Sequence, residues 1–347
     1  MEGISVVIVC HNGAKRLPMT LAHLGAQEPT RVPWELLLID NASTDHTAEV
    51  ARSYWLNAKA PLRIIREARL GVRYARERSF AEAKYAFLGF VDDDNWVAPD
   101  WVRMAYEIIS ADSRLAAVGS VREPACEVPP PPWFDNFHSD YAVLTERDLE
   151  RMPQPPTFLA TAGLCIRRAA WEDLVQRGFH SLVSGSVGSK PLGGEDTELT
   201  LALRLSGWKL SIDARLRLQH FMPSQRLQWS YLRRLGRNYG SSHVLLDPYS
   251  EYNLCLQPGF RRWLSERWWY QLSRSFMKIA NRPTVLLAAL SSPGEGRNGV
   301  INVERQFGRV IGLLRLRTQY GAARSEVREA PWRFVNRNQA NSEVSQV

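Results

Sequence analysis

The sequence predicts an α/β fold: a mainly parallel sheet flanked by helices, followed by a helical region. Three observations point there. Over the first 121 of 347 residues, short β-rich runs alternate with helical patterns, the rhythm of βαβ units whose strands lie parallel. The runs SVVIVC and ELLLID are apolar throughout, which suits a sheet covered on both faces and not one facing water. Polar residues gather where such runs end, at His11-Asn12, Asp40-Asn41 and Asp92-Asp93-Asp94, on the carboxyl edge where open parallel sheets take ligands.

The expected strands are Ser5 to Val9, Glu35 to Ile39, Leu62 to Ile65, Ala86 to Val91 and Ala116 to Val121, with helices beginning near Pro18, Thr44, Gly71 and Pro99. Pro18 and Pro99 suit a first helical turn, and Asn41 to Asp45 offers side-chain oxygens to its free N–H groups. From Glu123 to Pro156 the rhythm breaks into a Pro-rich insertion, a poor core element and a candidate lid or acceptor wall. A strand over Phe158 to Ile166, a helix around Arg168 to Arg177, a Gly-Ser loop from Ser184 to Gly194 and a helix from Glu195 to about Ser206 follow. After His220 the chain turns helical, aromatic and basic over Trp229 to Leu246, Gly259 to Ala280 and Val303 to Arg317. In the last of these, Val303, Phe307, Val310, Ile311 and Leu314 recur at helical spacing. The expected organisation is a nucleotide-binding and catalytic unit over 1–225, with 123–157 as its insertion, a helical extension over 226–335 and a disordered tail over 336–347.

Composition sets outer bounds. A chain 45% hydrophobic and 23% charged with 12 Trp folds, and is far from the composition of disordered chains. Its longest apolar stretch, Thr284 to Leu290, falls well short of the ~18 residues that span a bilayer, so no membrane-spanning helix is expected. The apolar run after Met1-Glu2-Gly3 reads as a buried strand and not as a signal peptide. Cys10, Cys126, Cys165 and Cys255 form no CxxC pair, which argues against a zinc site or disulfide framework and for a reducing cytoplasm. The net charge of +8 suits anionic lipid, nucleic acid or a phosphorylated substrate, or a solvated face, and decides among none of them.

Chemistry concentrates at the strand ends. Three consecutive carboxylates oppose one another's ionisation, a cost that a divalent cation such as Mg²⁺ or Mn²⁺ removes; an acidic turn capping the next helix is the plainer reading. Asp40 either caps a helix, or accepts hydrogen bonds from a nucleobase and leaves capping to Ser43 or Thr44. Glu195-Asp196 follow two glycines and open a helix, whose positive end favours their ionised form; they serve as N-terminal caps, as a general base for an acceptor hydroxyl, or as both. His220 is a packed imidazole or a metal ligand beside Asp94. Of Arg66, Arg69, Arg73, Arg76 and Arg78, mostly solvated, Arg69 and Arg76 are the candidates for meeting phosphate oxygens. Residues Gly185 to Lys190 (GSVGSK) lack the spacing of a phosphate-binding loop.

Four fragments in this order, SVVIVCHNGAKRLPMTLAHL, LLLIDNASTDHTAEVA, FLGFVDDDNWVAPDW and GGEDTELTLALRLSGW, resemble the family 2 glycosyltransferases, an inverting group with the GT-A nucleotide-diphospho-sugar transferase fold. The likeness spans roughly Ser5 to Tyr239. It implies that His11, Asn12 and Asp40 cradle the base, that Asp92 and Asp93 lie by the ribose and diphosphate, and that Asp94 holds a Mn²⁺ or Mg²⁺ ion joined by His220. It further implies that Asp196 deprotonates the acceptor while Glu195 orients donor or acceptor. The implied donor is a nucleoside-diphosphate sugar, a UDP-sugar first among them, and the acceptor a saccharide or a lipid-linked one in polysaccharide or glycoconjugate synthesis. The QxxRW motif of the processive polymerases is replaced by Gln225-Arg226-Leu227-Gln228-Trp229, so transfer of one or a few sugars is expected. No nucleic-acid partner is expected; peripheral contact with the inner face of the cell membrane and a homodimer stay open. The competing readings are a sugar-nucleotide nucleotidyltransferase, which would want a Gly-rich basic loop after the first strand, and a basic nucleic-acid or membrane-surface binding protein, which leaves the acidic strand ends unexplained.

Overall fold

The computed structural model describes residues 1–183, 194–250, 259–290 and 294–334. The expected tail over 336–347, most of the Gly-Ser loop with GSVGSK, and Cys255 lie outside the described residues.

Eight strands form one sheet: β1 (Ile4–Cys10), β2 (Trp34–Asn41), β3 (Leu62–Glu67), β4 (Phe87–Phe90), β5 (Asn95–Val97), β6 (Leu115–Cys126), β7 (Leu164–Arg167) and β8 (Lys209–Met222). Their order is β3-β2-β1-β4-β7-β6-β8-β5. All pairings are parallel except those of β7 with β4 and β6 and of β5 with β8. The apolar strands do bury both faces. On one face Ile4, Val6, Ile8, Leu36 and Leu38 pack with α1 (Leu17–Gly25), α2 (Thr47–Trp55) and α4 (Trp101–Ala111). On the other, Val7, Leu37 and Ile39 share a core with α3 (Val72–Glu82), α6 (Arg168–Gln176) and α7 (Glu195–Leu205). Each aliphatic side chain buried this way contributes about 1.5–3 kcal/mol.

Pro18 sits in the first turn of α1 as expected, whereas Pro99 precedes the Asp100 that opens α4. At α2 neither Ser43 nor Thr44 caps; Asp45 accepts the Thr47 N–H at 3.1 Å. The strand expected over Phe158 to Ile166 is confined to β7, because Gly163 turns the chain with φ +70° and the preceding Leu159 N–H bonds Thr200 on α7 instead of a neighbouring strand. One strand, β5, escaped the periodicity. β5 is only three residues long, and β8 is interrupted where its pairing with β6 jumps from Ser120↔Asp213 to Val121↔Arg217.

Strand β6 runs on through Cys126, past the expected start of the Pro-rich insertion at Glu123. The insertion itself has a core. Trp133, Phe134, Phe137 and Tyr141 are buried against Met222, Leu227, Leu232 and Ile301, and the short α5 (Glu146–Arg151) carries a full capping box between Thr145 and Asp148. Beyond the sheet lie α8 (Trp229–Ser242), a 3-10 helix (His243–Tyr249), α9 (Phe260–Ser265), α10 (Trp268–Ala280), α11 (Pro283–Leu290), α12 (Asn298–Arg315) and α13 (Tyr320–Glu329). Tyr249, Val327 and Trp332 belong to the second-face core, which fixes this helical region to the sheet. Helices α8 and α12 touch through glycines: a Cβ on Gly308 would stand 1.8 Å from the Arg237 carbonyl oxygen, and one on Gly240 1.9 Å from that of Arg305. Beside that crossing, buried Glu304 accepts bonds from Arg233 and Arg237 of α8.

Candidate active site

The site grows from the carboxyl edge of the sheet. Where β1 ends, Asn12 takes φ +50°, donates its backbone N–H to Ser43 Oγ at 3.0 Å and accepts the Thr44 N–H at 2.8 Å. The His11 imidazole Nδ1 lies 2.8 Å from the Asn41 carbonyl oxygen. Buried Asp40 accepts the Ser43 N–H at 3.0 Å and lies 3.4 Å from Arg66 Nη1. Asn41 reaches the other way, donating to the Arg69 carbonyl at 2.7 Å and accepting the Gly71 N–H at 2.8 Å. Thus the ends of β1 and β2 and the loop before α3 form one braced wall.

The aspartate triplet is divided by its surroundings. Asn95 bends the chain after β4: its side-chain oxygen accepts the Asp92 N–H and its amide donates to Asp94 Oδ1. Asp93, expected beside ribose and diphosphate, is bound by residues of the first strand end. Arg16 of the loop before α1 grips it with two bonds of 3.0 and 2.6 Å, and the Cys10 thiol donates to it at 3.1 Å. A Cβ on Gly13 would fall 2.1 Å from Cys10 Sγ and 2.5 Å from Asp93 Oδ2, so only glycine leaves room for this cluster. Burial and then the Asp93 carboxylate push the Cys10 thiol well above the ordinary range.

Asp94 is placed by sheet register. After Asp94 the chain forms β5 and pairs antiparallel with β8, Asn95 opposite His220, and the Phe221 N–H donates to the Asp94 carbonyl at 2.9 Å. Trp96 secures this excursion, stacked on Phe221 at 5.1 Å and on His23 at 5.8 Å. The result is a buried pair, His220 Nε2 3.5 Å from Asp94 Oδ1, with Arg226 Nη1 3.0 Å from Asp94 Oδ2 and 3.4 Å from His220 Nε2. The buried His220 Nδ1 has no hydrogen-bond partner. Although Asp94 is desolvated, the His220 hydrogen bond and charge and the Arg226 charge hold its carboxyl below the usual range. Asp92, with no such partner, is pushed up to about 7 by burial and by Asp94. Among the described residues no group of three or more His, Cys, Asp or Glu side chains stands together as a metal cage.

Asp196 faces this edge from the start of α7. Gly194 enters the helix at φ +112°, and the Asp196 carboxylate is steadied by Thr161 Oγ1 at 3.3 Å and by the Thr197 N–H at 2.7 Å. Its charge bears on Asp92, Arg122, Tyr239 and His243. Glu195 departs from expectation, because burial outweighs both the helix end and Arg76, 3.8 Å away, and raises its carboxyl. A chamber of about 1060 Å³ opens beside Asp196, walled by Arg122, Asp140 of the insertion, Tyr239, Arg305 and Arg309.

The arginine-dense segment is spent on carboxylates: Arg66 with Asp40, Arg69 with Glu67, Arg73 with Glu77, Arg76 with Glu195 and Arg78 with Glu82. Arg69 also lies over the Tyr74 ring at 4.5 Å. Sequence reasoning missed Arg16, Arg122, Arg226 and Glu198. Of these only Arg226 carried a signal, through its place in the altered Gln225 to Trp229 motif. Glu198 is buried and accepts bonds from Ser181, the Leu182 N–H and Tyr249, tying α7 to the helical region.

Residues 5–174 match Glycosyl transferase family 2, a stretch that includes Asp40 and the triplet and ends before Asp196 and His220. Chondroitin synthase of Escherichia coli is 28% identical over 131 residues, 34% of this chain and 17% of that protein. Validoxylamine A glucosyltransferase of Streptomyces hygroscopicus subsp. jinggangensis is 26% identical over 236 residues, 60% of this chain and 53% of that protein. The chain thus spans about half or less of the length of these two relatives. A mannosyltransferase from Pyrobaculum calidifontis, solved with GDP-Man and Mn²⁺, superposes with a TM-score of 0.58 at 15% identity, covering 90% of this chain and 87% of that one. Just under half of the chain thus matches glycosyl transferase family 2, and the chain as a whole has a GT-A fold.

Proposed function

We propose that the protein moves a sugar from a nucleoside-diphosphate sugar to an acceptor hydroxyl with inversion at the anomeric carbon. The observation that supports this most is the pairing of β5 with β8, which seats Asp94 against His220 and Arg226 while Asp196 stands at the mouth of the chamber. His11, Asn12 and Asp40 form the wall for the base. Asp92 lies by the ribose and diphosphate. Arg226 lends positive charge to the departing diphosphate, and Asp94 and His220 are the residues that would hold a Mn²⁺ or Mg²⁺ ion. The 3.5 Å between His220 Nε2 and the Asp94 carboxylate fits such an ion. When bound, it would neutralise charge on the leaving group.

Asp196 then accepts the proton of the acceptor hydroxyl as that oxygen bonds to the anomeric carbon and the bond from that carbon to the diphosphate oxygen breaks. Glu195 and Arg76 orient the donor or acceptor beside it. The chamber takes the acceptor, a saccharide or a lipid-linked one, with a UDP-sugar the first donor to test. Among the described residues no helix is long and apolar enough to cross a membrane.

Thermal unfolding in the presence of UDP, GDP and their sugars, with and without Mn²⁺, tests the donor. A nucleotide at ~100 times its Kd adds about 2.7 kcal/mol of stability, and this gain should vanish in Asp94→Asn. A flat response to every nucleoside diphosphate would refute the proposal.

A further inference from the structure

Beside the acceptor chamber opens a second cavity, of about 580 Å³, lined by residues of α8, the 3-10 helix His243–Tyr249, α9, α10, α12 and α13. Among the described residues six cations line it, Arg261, Arg274, Lys278, Arg305, Arg309 and Arg324, against a single carboxylate, Asp247. That carboxylate is engaged: Arg309 donates to it at 3.0 and 2.6 Å, and the Tyr320 hydroxyl at 2.6 Å. Arg305 is paired with Asp140 of the insertion. Arg261, Arg274 and Lys278 have no ion-pair partner among the described residues.

Arg324 makes this a built site and not merely a basic surface. It is 1% exposed, and its Nη1 donates to Tyr320 Oη at 3.0 Å, yet its Nε and Nη2 have no hydrogen-bond partner. A buried guanidinium with two unmet donors, among other cations, is costly unless an anion joins it. The local field agrees, for burial and then Arg305 and Arg309 lower the His243 imidazole at the rim.

The position of the cavity suggests its use. His243, Asp247, Arg305 and Arg309 line both it and the chamber that contains Asp196 and Tyr239. Among the residues named for the donor wall, Asp40, Asp92, Asp94 and His220 line neither. We propose that this cavity binds a phosphate or diphosphate group carried by the acceptor, holding the acceptor so that its hydroxyl lies in the chamber at Asp196. The acceptor role rests on the transfer reading; the anion site itself does not. A phosphate monoester carries about 1.5 to 2 negative charges at neutral pH with three acceptor oxygens, and forked guanidinium donors match them.

The test is calorimetric titration of the full chain with inorganic pyrophosphate in chelator, which withholds the divalent ion the donor site would need; nucleotide affinity is measured separately with Mn²⁺. Arg274→Gln/Lys278→Gln changes two exposed cations and should leave the fold intact, while Arg324→Gln reports on the buried one. The expected result is binding at one site, weakened at least about tenfold in the double variant, with nucleotide affinity unchanged. Vesicles of phosphatidylcholine with and without phosphatidic acid assign the source. Cosedimentation that needs the phosphatidic acid, is displaced by pyrophosphate and is lost in the double variant assigns a lipid headgroup. Binding of pyrophosphate with no vesicle response assigns a soluble phosphate. No pyrophosphate binding by the wild-type chain, or equal binding by the folded variants, would overturn the proposal. Failure of nucleotides to bind would count against the transfer reading alone, since pyrophosphate affinity is read separately.

Discussion

Substituting Gly308 by Ala sets two opposing effects against each other. In an exposed helix interior the change favours folding by about 1 kcal/mol, because alanine gives up less backbone freedom. Here the added carbon would stand 1.8 Å from the Arg237 carbonyl oxygen, about 1.6 Å closer than ordinary contact, and 3.0 Å from the Ser241 nitrogen. Both atoms belong to the backbone of α8, so no rotamer change relieves the clash and the two helices must separate. Overpacking of this kind costs about 1–3 kcal/mol, and separation also strains the bonds of Glu304 to Arg233 and Arg237. The net expectation is a loss of about 1–2 kcal/mol, read as a lower midpoint in urea unfolding. Gly25→Ala is the control: it ends α1 with nothing within 4 Å of the new carbon, and should be neutral or stabilising. A Gly308→Ala chain as stable as the wild type would refute the reasoning about how α8 and α12 pack.

Other outcomes follow from single side chains. Asp93→Asn should lower stability by about 1–3 kcal/mol, by unpairing Arg16, while leaving nucleotide affinity nearly unchanged; a large loss of affinity would return Asp93 to the donor. Glu198→Gln should destabilise by about 1–3 kcal/mol, since an amide cannot accept all the bonds offered by Ser181, Leu182 and Tyr249, and a neutral result in urea unfolding would contradict that. At His138 burial lowers the pKa, but the Asp135 carbonyl and the Asp148 carboxylate at 2.9 Å outweigh it, so the folded value lies above 6.5. The contribution of His138 is therefore complete below about pH 6.5 and fades as pH rises through the folded pKa. His138→Gln should cost up to about 1 kcal/mol near pH 6 and less near pH 8.5; a cost that grows with pH would overturn the assignment.

What the sequence made legible was the sheet and its ligand edge. SVVIVC and ELLLID are apolar at every position because both faces are buried, and that pattern survives in one dimension. The site was legible as separate carboxylates and a histidine but not as a constellation. Asp94 meets His220 only because a three-residue strand after the triplet pairs with β8, and three residues carry too little periodicity to announce a strand. Asp93 looked like its neighbours, and what distinguishes it is Arg16, 77 residues away in sequence. The Pro-rich insertion was expected to lack a core because proline disfavours helix and sheet, yet Trp133, Phe134, Phe137 and Tyr141 needed only 3-10 turns to bury themselves. The glycines of α8 and α12 follow a four-residue spacing, Gly236-Gly240 and Gly308-Gly312, that marks close helix contact once both partners are known.

The central claim is that Asp196 takes the acceptor proton at a site whose donor is held elsewhere. Single-turnover transfer and nucleotide affinity, measured side by side in the wild-type chain and Asp196→Asn, test it most directly. General-base catalysis contributes about 10²–10⁴-fold. The expected result is a kcat lowered by at least about 10² with nucleotide Kd unchanged, and full turnover by Asp196→Asn would contradict the account.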